Sequence, residues 1–422
     1  MKILVVGGGG REHAIIWKMK ESGRPAKIFC APGNGGISTL ATCVNIKATD
    51  IEGVVKFAKD QAVDLVFVGP DDPLAMGMVD ELQAAGIRTF GPNQAAAQIE
   101  ASKVFAKGLM NKYGIPTAAY EVFDDVDAAR EYLKRAPYPT VLKADGLALG
   151  KGVIICKNQT EAEQALQAMM VDKAFGEAGS KVIVEEFLTG REVSVIAFTD
   201  GKTILPLASS QDHKRAYDND EGPNTGGMGA FSPSPYYTPE IEKETIEKII
   251  IPTVEAMNAE GRPFKGVLYF GLMLTDKGVK ILEYNARLGD PETQALLPRL
   301  KNDLLEVIDA VIDEKLDQVE LSWDKRATVC VVMASGGYPG HYSKNHEIFD
   351  LDSPSTYKDV LIFHAGTRRD GDHVYTAGGR VLGVTAYGDT LKAAADKAYA
   401  AAESVRFEGA HYRKDIARKV DS

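Results

Sequence analysis

The chain has 422 residues, a hydrophobic content of 45% and a formal net charge of −10. This length allows roughly two to four domains, and the composition is ordinary for a globular protein. The acidic balance argues against non-specific nucleic-acid binding, which needs a basic surface. No run of about 18 or more uncharged apolar residues is present, so we expect no membrane partner.

The four cysteines are Cys30, Cys43, Cys156 and Cys330. They form no CxxC pair and no cluster with histidine, so neither a zinc site nor a disulfide framework is predicted. The apolar start of the chain breaks at glycines after a few residues. It therefore indicates a buried first strand and not a signal peptide. We expect a reducing, cytoplasmic location.

Residues 1–100 alternate between strand and helix patterns, which predicts an α/β domain with a parallel sheet covered by helices on both faces. Ligands in such sheets bind at the carboxyl ends of the strands. The predicted strands are Lys2–Val6, Ile28–Ala31, Leu65–Val68 and Thr89–Gly91, and the predicted helices are Arg11–Glu21, Ile51–Asp60 and Leu74–Ala85.

Three loops follow these strands, Gly7–Glu12, Pro32–Gly36 and Gly69–Pro73. The first is a glycine turn that opens a helix, so its free N–H groups can hold an anion. A dinucleotide site is disfavoured because the spacing is not a clean GxGxxG and Glu12 stands where the third glycine would fall. We favour a sugar phosphate, with Asp71 or Asp72 accepting its hydroxyls. Tight turns without a ligand remain the alternative for each loop.

Residues 101–121 are predicted to connect two domains, with one helix over Ala95–Tyr113 that contains Lys103. Residues 122–192 then form a small α+β unit. Its predicted strands are Pro139–Ala144, which carries Lys143, Val153–Cys156 and Lys181–Leu188, and its predicted helices are Val126–Arg135 and Thr160–Val171.

A glycine-rich loop joins the first two strands of this unit. Such a loop can close over phosphates with its backbone N–H groups. It is not a Walker A loop, because Gly152 stands where Ser or Thr is needed and the loop links two strands. A plain hairpin loop is an equal alternative. The residues of interest in the loop are Gly146, Gly150, Lys151 and Gly152.

Residues 193–325 contain a polar stretch, Gln211–Ala230, that is long for a connection. Loops of this length are usually functional or disordered, and its aromatic residues favour a loop that covers a substrate. Around it we predict strands at Ser194–Phe198, Lys202–Leu207, Gly266–Leu274 and Val279–Tyr284, and helices at Glu240–Glu260 and Asp303–Asp313.

The last of these strands runs into a cluster of polar residues. Alternation along a strand places Glu283, Asn285 and Arg287 on one face. A carboxylate beside an amide oxygen suits a hard cation such as Mg²⁺, and an arginine one step further suits a carboxylate or phosphate. The alternative is a polar strand end that enters a Gly-Asp-Pro turn.

Residues 326–422 are predicted to be a separate small α+β domain without a catalytic cluster. It would pack against the site and close one side of it. Its predicted strands are Ala327–Ala334, Val360–Ala365 and Arg380–Tyr387, and its helix is Thr390–Ser404.

Taken together, the strand lysine, the glycine loop, the Glu185-Glu-Phe-Leu188 segment and the Glu283/Asn285/Arg287 strand resemble the ATP-grasp superfamily. Seven strings then match the glycinamide ribonucleotide synthetase family in order. They are Gly-Gly-Arg-Glu-His near the start, Ala31-Pro-Gly-Asn, Gly69-Pro-Asp-Asp-Pro-Leu, Lys143-Ala-Asp-Gly-Leu-Ala-Leu-Gly-Lys-Gly-Val, Gln211-Asp-His-Lys-Arg, Asn224-Thr-Gly-Gly-Met-Gly and Arg287-Leu-Gly-Asp-Pro-Glu.

The resemblance implies a substrate-binding domain at 1–100, a connector at 101–121, an ATP-grasp lid subdomain at 122–192, a large subdomain with the metal site at 193–325 and a C-terminal domain at 326–422. It implies that ATP and Mg²⁺ (or Mn²⁺) join glycine to 5-phosphoribosylamine through glycyl phosphate, giving glycinamide ribonucleotide, ADP and phosphate in purine biosynthesis. A monomer is expected.

The resemblance also implies residue roles. ATP would be bound by Lys103, Lys143, Gly146, Gly150, Lys151, Gly152, Glu185, Glu186, Leu188 and Glu192. The metal would be bound by Glu283 and Asn285. Arg287 would steady the acyl phosphate, with Asp290, Asp212 and Lys214 near the glycine. Phosphoribosylamine would be bound by Gly9, Arg11, Glu12, Asn34, Gly35, Asp71 and Asp72.

One position departs from the ATP-grasp pattern, because Gly271 stands where a further acidic metal ligand is usual. The metal shell is therefore expected to be thin, unless Asp290 or Glu292 contributes. Three alternatives remain at this point. They are another ATP-grasp ligase such as a purine-pathway carboxylase that acts on an aminoimidazole nucleotide, a nicotinamide oxidoreductase, and a nucleotide-binding regulator without turnover.

Overall fold

The computed structural model describes residues 1–147, 152–352 and 358–418. They form four units that pack against one another. None of the helices in these ranges is long and apolar enough to cross a membrane.

The N-terminal unit is a five-stranded parallel sheet with the order β3-β2-β1-β4-β5. Its central strand is almost completely buried, as expected for a sheet covered on both faces. Gly8 comes so close to the second loop that a Cβ there would lie 2.5 Å from the Gly33 carbonyl oxygen, so only glycine fits. The elements are β1 (Lys2–Gly7), α1 (Gly10–Lys20), β2 (Lys27–Pro32), β3 (Thr42–Cys43), α2 (Ile51–Asp60), β4 (Leu65–Val68), α3 (Asp71–Ala75), α4 (Met78–Ala84) and β5 (Thr89–Phe90).

The connector contains two helices, α5 (Gln94–Ala101) and α6 (Lys103–Lys112), so the prediction of one helix over Ala95–Tyr113 is wrong. Ser102 has an extended backbone and ends the first helix while capping the second through its side chain. Serine competes for backbone hydrogen bonds in this way, which favours helix ends over helix interiors. The break places Lys103 in the first turn of the second helix.

The lid unit is a four-stranded antiparallel sheet, ordered β6-β9-β7-β8. Its helices bury their apolar faces, including Ala129, Leu133, Ala162 and Leu166, against one side of the sheet. The elements are β6 (Tyr120–Phe123), α7 (Val126–Leu133), β7 (Thr140–Ala144), β8 (Val153–Cys156), α8 (Gln159–Leu166), which continues as a π turn to Val171, and β9 (Val182–Glu186).

The large unit is an antiparallel sheet with the order β11-β10-β16-β17. The register of its last two strands shifts between Gly271 and Leu272, opposite Glu283 and Ile281. Such a bulge redirects the side chains that follow it. The elements are β10 (Arg191–Thr199), β11 (Ile204–Pro206), β12 (Gln211–Asp212), β13 (Arg215–Tyr217), β14 (Glu221–Asn224), β15 (Gly229–Ser232), α9 (Pro239–Thr245) joined through a π turn to α10 (Ile251–Ala259), β16 (Gly266–Thr275), β17 (Gly278–Asn285), α11 (Glu292–Leu296) and α12 (Leu304–Ile312).

The polar stretch Gln211–Ala230 is more regular than an open covering loop. It contains a two-stranded hairpin, β13–β14, and its two ends, β12 and β15, pair with each other. Strand β15 also pairs with Ala327–Ala334, so the C-terminal sheet includes strands from both sides of the boundary expected at residue 325. Glycines and prolines hid these short strands from sequence patterns, because tertiary pairing decided them.

The C-terminal sheet has the order β12-β15-β18-β22-β19, and α13 packs on it. It also contacts the N-terminal unit directly. The Asn34 side-chain amide donates to the His364 carbonyl at 2.8 Å, and Arg369 Nε donates to the Gly35 carbonyl at 3.0 Å. The elements are β18 (Ala327–Ala334), β19 (Val360–His364), β20 (Thr367–Asp370), β21 (His373–Thr376), β22 (Arg380–Gly388) and α13 (Leu391–Ser404).

Candidate active site

Three lysines from three units surround Glu283 near the end of β17. Lys214 Nζ lies 2.8 Å from Glu283 Oε1. The charge of Lys214 is the main cause that lowers the pKa of Glu283 to about 2, and the charges of Lys143 and Lys103 act in the same direction. The carboxylate is therefore ionised in a strongly cationic cleft. Such a cleft is suited to a polyanion such as a triphosphate.

Lys143 crosses the cleft between the lid and the large unit. Its Nζ lies 3.0 Å from Glu185 Oε2 and donates to the Leu282 carbonyl at 3.1 Å. Glu185 Oε1 in turn lies 3.1 Å from Lys107 Nζ, a buried lysine that the sequence did not single out. Burial lowers the pKa of Lys107 to about 8, although Glu185 opposes this shift. Glu185 thus orients two lysines at the base of the lid.

Lys103 contacts the lid loop directly, because its Nζ donates to the Gly146 carbonyl at 2.6 Å. Burial lowers its pKa. Gly146 has a φ of +101°, a conformation that favours glycine, and Gly152 is buried at the start of the next strand. The other two residues predicted in this loop, Gly150 and Lys151, lie outside the described residues.

Two predicted ATP-binding residues, Glu186 and Leu188, lie at the end of β9 and just after it. The N–H of Glu186 already donates to the Ala119 carbonyl at 2.9 Å, and its carboxylate binds Lys280 Nζ at 3.0 Å. This N–H is therefore occupied by the protein, which removes it as a donor to a base. Leu188 is buried, and Glu192 is exposed on β10, near enough for its charge to help raise the pKa of Lys214.

Glu283 and Asn285 fit a hard metal ion, since both present oxygen donors from one strand end and Glu283 is ionised. Asn285 Oδ1 accepts from Arg287 Nη2 at 3.2 Å. Gly271 lies directly opposite Glu283, and a Cβ there would be 3.1 Å from Glu283 Cγ. No group of three or more His, Cys, Asp or Glu side chains able to hold a metal occurs in residues 1–147, 152–352 and 358–418. Mg²⁺ needs no larger set, because it is commonly held by one or two carboxylates, waters and substrate phosphates.

Two further acidic residues, Glu292 and Asp212, lie beside this strand end. Ser194 Oγ donates to Glu292 Oε1 at 3.1 Å and lies 2.9 Å from the Tyr269 hydroxyl. Burial and the nearby Glu292 raise the pKa of Asp212 well above its usual value. Asp212 and Glu292 together can accept hydrogen bonds from a small ammonium group. Lys214 can bind an anionic group of the same small molecule.

The N-terminal loops border a cavity of about 530 Å³ that also includes Asp290, a few residues after the end of β17. Glu12 is buried and uses both carboxylate oxygens, accepting from Gly9 N and from Arg11 Nε, each at 2.7 Å. Arg11 also donates to the Leu288 carbonyl at 3.0 Å. The cavity is lined by Gly7, Gly8, Gly9, Arg11, Glu12, Pro32, Gly33, Lys47, Ala48, Pro70, Asp290 and Arg380.

Asp290 and Arg380 form the wall of this cavity that faces the C-terminal unit. Arg380 Nη1 lies 3.3 Å from Asp290 Oδ1 and also donates to the carbonyls of Asp290 and Gly226, at 2.8 and 2.7 Å. Burial would raise the pKa of Asp290, but the charges of Arg380 and Arg11 lower it overall. The C-terminal unit therefore contributes a charged side chain to the cavity.

The side chain of Asn34, a predicted substrate contact, is bonded to protein groups on all sides. Its amide donates to the carbonyls of Gly8 and His364, and its Oδ1 accepts from the N–H groups of Gly36 and Ile37. These four bonds fill the capacity of the side chain. Asn34 therefore holds the loop to the C-terminal unit. Gly35 beside it is buried, and its N–H donates to the Thr367 carbonyl at 3.0 Å.

Asp71 and Asp72, the adjacent aspartates of the third N-terminal loop, have different surroundings. Asp71 lies 3.9 Å from Arg287 Nη2, and although burial would raise the pKa of Asp71, the charges of Arg287 and Arg11 lower it overall. Asp72 is exposed, and partial burial together with the charge of Asp71 raises its pKa. Asp71 thus faces Arg287, which lies on the segment between Glu283 and Asp290.

Three family models match successive parts of the chain. The phosphoribosylglycinamide synthetase N domain matches residues 1–100, its ATP-grasp (A) domain matches residues 101–293, and its C domain matches residues 328–419. The chain belongs to the phosphoribosylglycinamide synthetase family. The expected resemblance is confirmed, and so is the fold class of a parallel-sheet domain, an ATP-grasp pair of subdomains and a small C-terminal α+β domain.

Relatives of this synthetase family cover the chain from end to end. A phosphoribosylamine–glycine ligase of Caldanaerobacter subterraneus is 50% identical over 417 residues, which is 99% of each chain. The crystal structure of phosphoribosylamine–glycine ligase from Thermotoga maritima has a TM-score of 0.86 at 34% identity and covers 99% of this chain and 100% of that one.

A third comparison bears on the fold alone. N5-carboxyaminoimidazole ribonucleotide synthetase from Thermotoga maritima has a TM-score of 0.65 at 17% identity, covering 96% of this chain and 99% of that one. The same architecture therefore occurs in the enzyme class that was the first alternative. This fold alone does not determine which reaction is catalysed.

Sequence reasoning missed several charged residues of this synthetase fold. Lys47, Glu100, Lys107 and Arg380 are isolated charged residues in their segments, with no motif around them. A lone charge on a helix or at a strand start usually faces solvent. For Lys107 the signal available was weak, namely its helical spacing of four residues from Lys103.

Proposed function

We propose that the chain is an ATP-dependent carbon–nitrogen ligase that joins glycine to 5-phosphoribosylamine, giving glycinamide ribonucleotide, ADP and phosphate. One observation carries this proposal. The segment from Glu283 to Asp290 contributes to both halves of the site, the three-lysine cleft at one end and the cavity of Arg11 and Arg380 at the other. Glycine activated in the lysine cleft would therefore lie close to the amine of phosphoribosylamine in the cavity.

The lysine cleft supports phosphoryl transfer. Lys103, Lys143 and Lys214 converge on Glu283, which places three positive charges where phosphate oxygens would lie. A Mg²⁺ ion held by Glu283 and Asn285 would supply further charge neutralisation. The glycine carboxylate oxygen attacks the γ-phosphorus of ATP and ADP leaves, giving glycyl phosphate. Positioning and charge neutralisation account for this step without a protein nucleophile.

The glycine itself has a suitable place beside Glu283. Its ammonium group is received by Asp212 and Glu292, and Arg287 and Lys214 bind the carboxylate and then the acyl phosphate. An arginine guanidinium suits a phosphoryl group because its donors form a planar fork. The Ser194 hydroxyl orients Glu292, and the Tyr269 hydroxyl pairs in turn with that of Ser194.

The cavity beyond Asp290 receives phosphoribosylamine. Arg11 and Arg380 each lie against a carboxylate, Glu12 and Asp290, whereas Lys47 has no ion pair among the residues that the structure describes. Lys47 is therefore the cation left to meet a phosphate. The amine nitrogen attacks the glycyl carbonyl, the bond to the phosphate oxygen breaks, and the amine loses a proton as the amide forms.

The decisive test is formation of glycinamide ribonucleotide from ATP, glycine and phosphoribosylamine, with each substrate left out in turn. Product should need all three, and phosphate release should match product formed. Bicarbonate with an aminoimidazole nucleotide should give no phosphate. Turnover with that pair, and none with glycine, would assign the chain to the carboxylase alternative instead. Calorimetry with NAD should show no binding, which would remove the oxidoreductase alternative.

A further inference from the structure

Glu100 is a buried acid at the end of α5, only 8% exposed, and it makes two contacts with the segment that follows β17. Its Oε1 lies 2.9 Å from Arg287 Nη2, and its Oε2 accepts from Ala286 N at 2.7 Å. The two oxygens thus grip adjacent residues, one through a side chain and one through the backbone.

The position of Ala286 makes this grip significant. It lies between Asn285, the last residue of β17, and Arg287, where regular strand pairing has ended. Backbone beyond a strand end is free to vary unless another group binds it. Glu100 supplies that group, and Arg287 Nη2 in turn donates to Asn285 Oδ1 at 3.2 Å. One carboxylate therefore orients the strand end that carries both residues.

A purely structural ion pair is the competing explanation. Burial raises the pKa of Glu100 to about 7, and the charge of Arg287 opposes that rise. A buried carboxylate is a costly way to stabilise a fold, since an apolar residue of similar size often serves as well. The other acid near Arg287, Asp71, lies farther away at 3.9 Å. Of these two acids, Glu100 is thus the closer to the Arg287 guanidinium. A requirement to orient this guanidinium explains the buried carboxylate better than a contribution to stability does.

We propose that Glu100 is a positioning residue that holds Arg287 in the orientation needed to stabilise the acyl phosphate. This inference rests on the proposed function, in which Arg287 binds that group. Glu100 does not touch substrate. It acts through Arg287, directly on the guanidinium and through the backbone of Ala286 that carries Arg287. Its helix ends one residue before the Ser102 break that directs Lys103 to the lid loop.

The test is a double-mutant cycle with Glu100→Gln and Arg287→Ala. Glutamine keeps the shape of the side chain, but its single acceptor oxygen cannot serve both Arg287 and Ala286. We expect Glu100→Gln to lower kcat by about 10- to 100-fold, the scale of a misplacement near 1 Å, with the KM for ATP little changed. The double variant should be no slower than Arg287→Ala alone, because Glu100 acts through Arg287.

The matched control is Glu81→Gln, on an exposed helical position of the N-terminal unit, which should behave as wild type. Effects that multiply in the double variant, or a kcat of Glu100→Gln equal to wild type, would overturn the proposal. If Glu100→Gln does not fold, the same cycle is run with Glu100→Asp, which keeps the charge but shortens the reach. Absence of product with the wild-type enzyme would instead refute the proposed function.

Discussion

The Lys214 ammonium lies 2.8 Å from the Glu283 carboxylate, so the residue predicted to bind a metal also forms an ion pair with a lysine. Lys214 contacts only Oε1, so Oε2 keeps lone pairs that can coordinate a metal ion. Glu283 could therefore hold the proposed metal through one oxygen while it orients Lys214 through the other.

Glu283→Gln removes the charge that would hold the metal and keeps the shape of the side chain. We expect turnover to fall by about 100-fold or more, because the charge stabilisation from a bound ion amounts to several kcal/mol. Steady-state rates across a Mg²⁺ titration measure this. Glu247→Gln, on an exposed helical position of the same unit, is the control. Near-normal activity of Glu283→Gln would show that Glu283 is not a ligand.

Arg11→Ala removes a guanidinium that lines the N-terminal cavity and also releases Glu12 from its ion pair. We expect the KM for phosphoribosylamine to rise and the affinity for ATP, measured by calorimetry, to stay the same. The reason is that Arg11 lies at the cavity and not in the lysine cleft. A loss of ATP affinity with normal use of phosphoribosylamine would contradict the assignment of the cavity.

Lys47→Gln tests the cavity without disturbing an ion pair of the described residues. We expect about a 10-fold rise in the KM for phosphoribosylamine, which corresponds to about 1.4 kcal/mol for a charge-assisted contact. The KM values for ATP and glycine should not change. Lys56→Gln, on the exposed surface of α2, is the matched control. Equal kinetics of Lys47→Gln and wild type would place the phosphate elsewhere.

Acid should destabilise the contact between the N-terminal and C-terminal units. Burial lowers the pKa of His13 to about 4 and that of His364 to about 3, and His13 Nδ1 accepts from His364 N at 2.8 Å. In the unfolded chain these histidines bind protons below about pH 6.5. The unfolded state therefore binds more protons between pH 6.5 and 4, and stability falls as the pH drops through this range.

The expected slope is at most about 1.4 kcal/mol per pH unit for each of the two histidines. Urea unfolding at several pH values between 7 and 4.5 measures it. His13→Asn should make the dependence shallower by up to one histidine's share. His341→Gln, at an exposed position outside this contact, is the control variant. A His13→Asn variant with the full slope would show that His13 titrates normally in the fold.

The sequence predicted most elements well where hydrophobic periodicity was strong. The first strand, the glycine turn after it and the strand ending at Asn285 all agree with the structure. Predictions failed where one side chain or a distant strand decided the outcome. Ser102 splits a helix that periodicity would continue, and β15 exists because β18 pairs with it.

The sequence by itself determined the family and the order of its domains, and it predicted the chemical types of the site residues, because glycine turns and charged strand ends are local features. Only the tertiary structure decided which charges meet. Glu100 and Arg287 are far apart in the chain, as are Asp290 and Arg380, and their ion pairs depend on how the units pack. Local patterns carry no information about such pairs, since each partner alone resembles an ordinary surface charge.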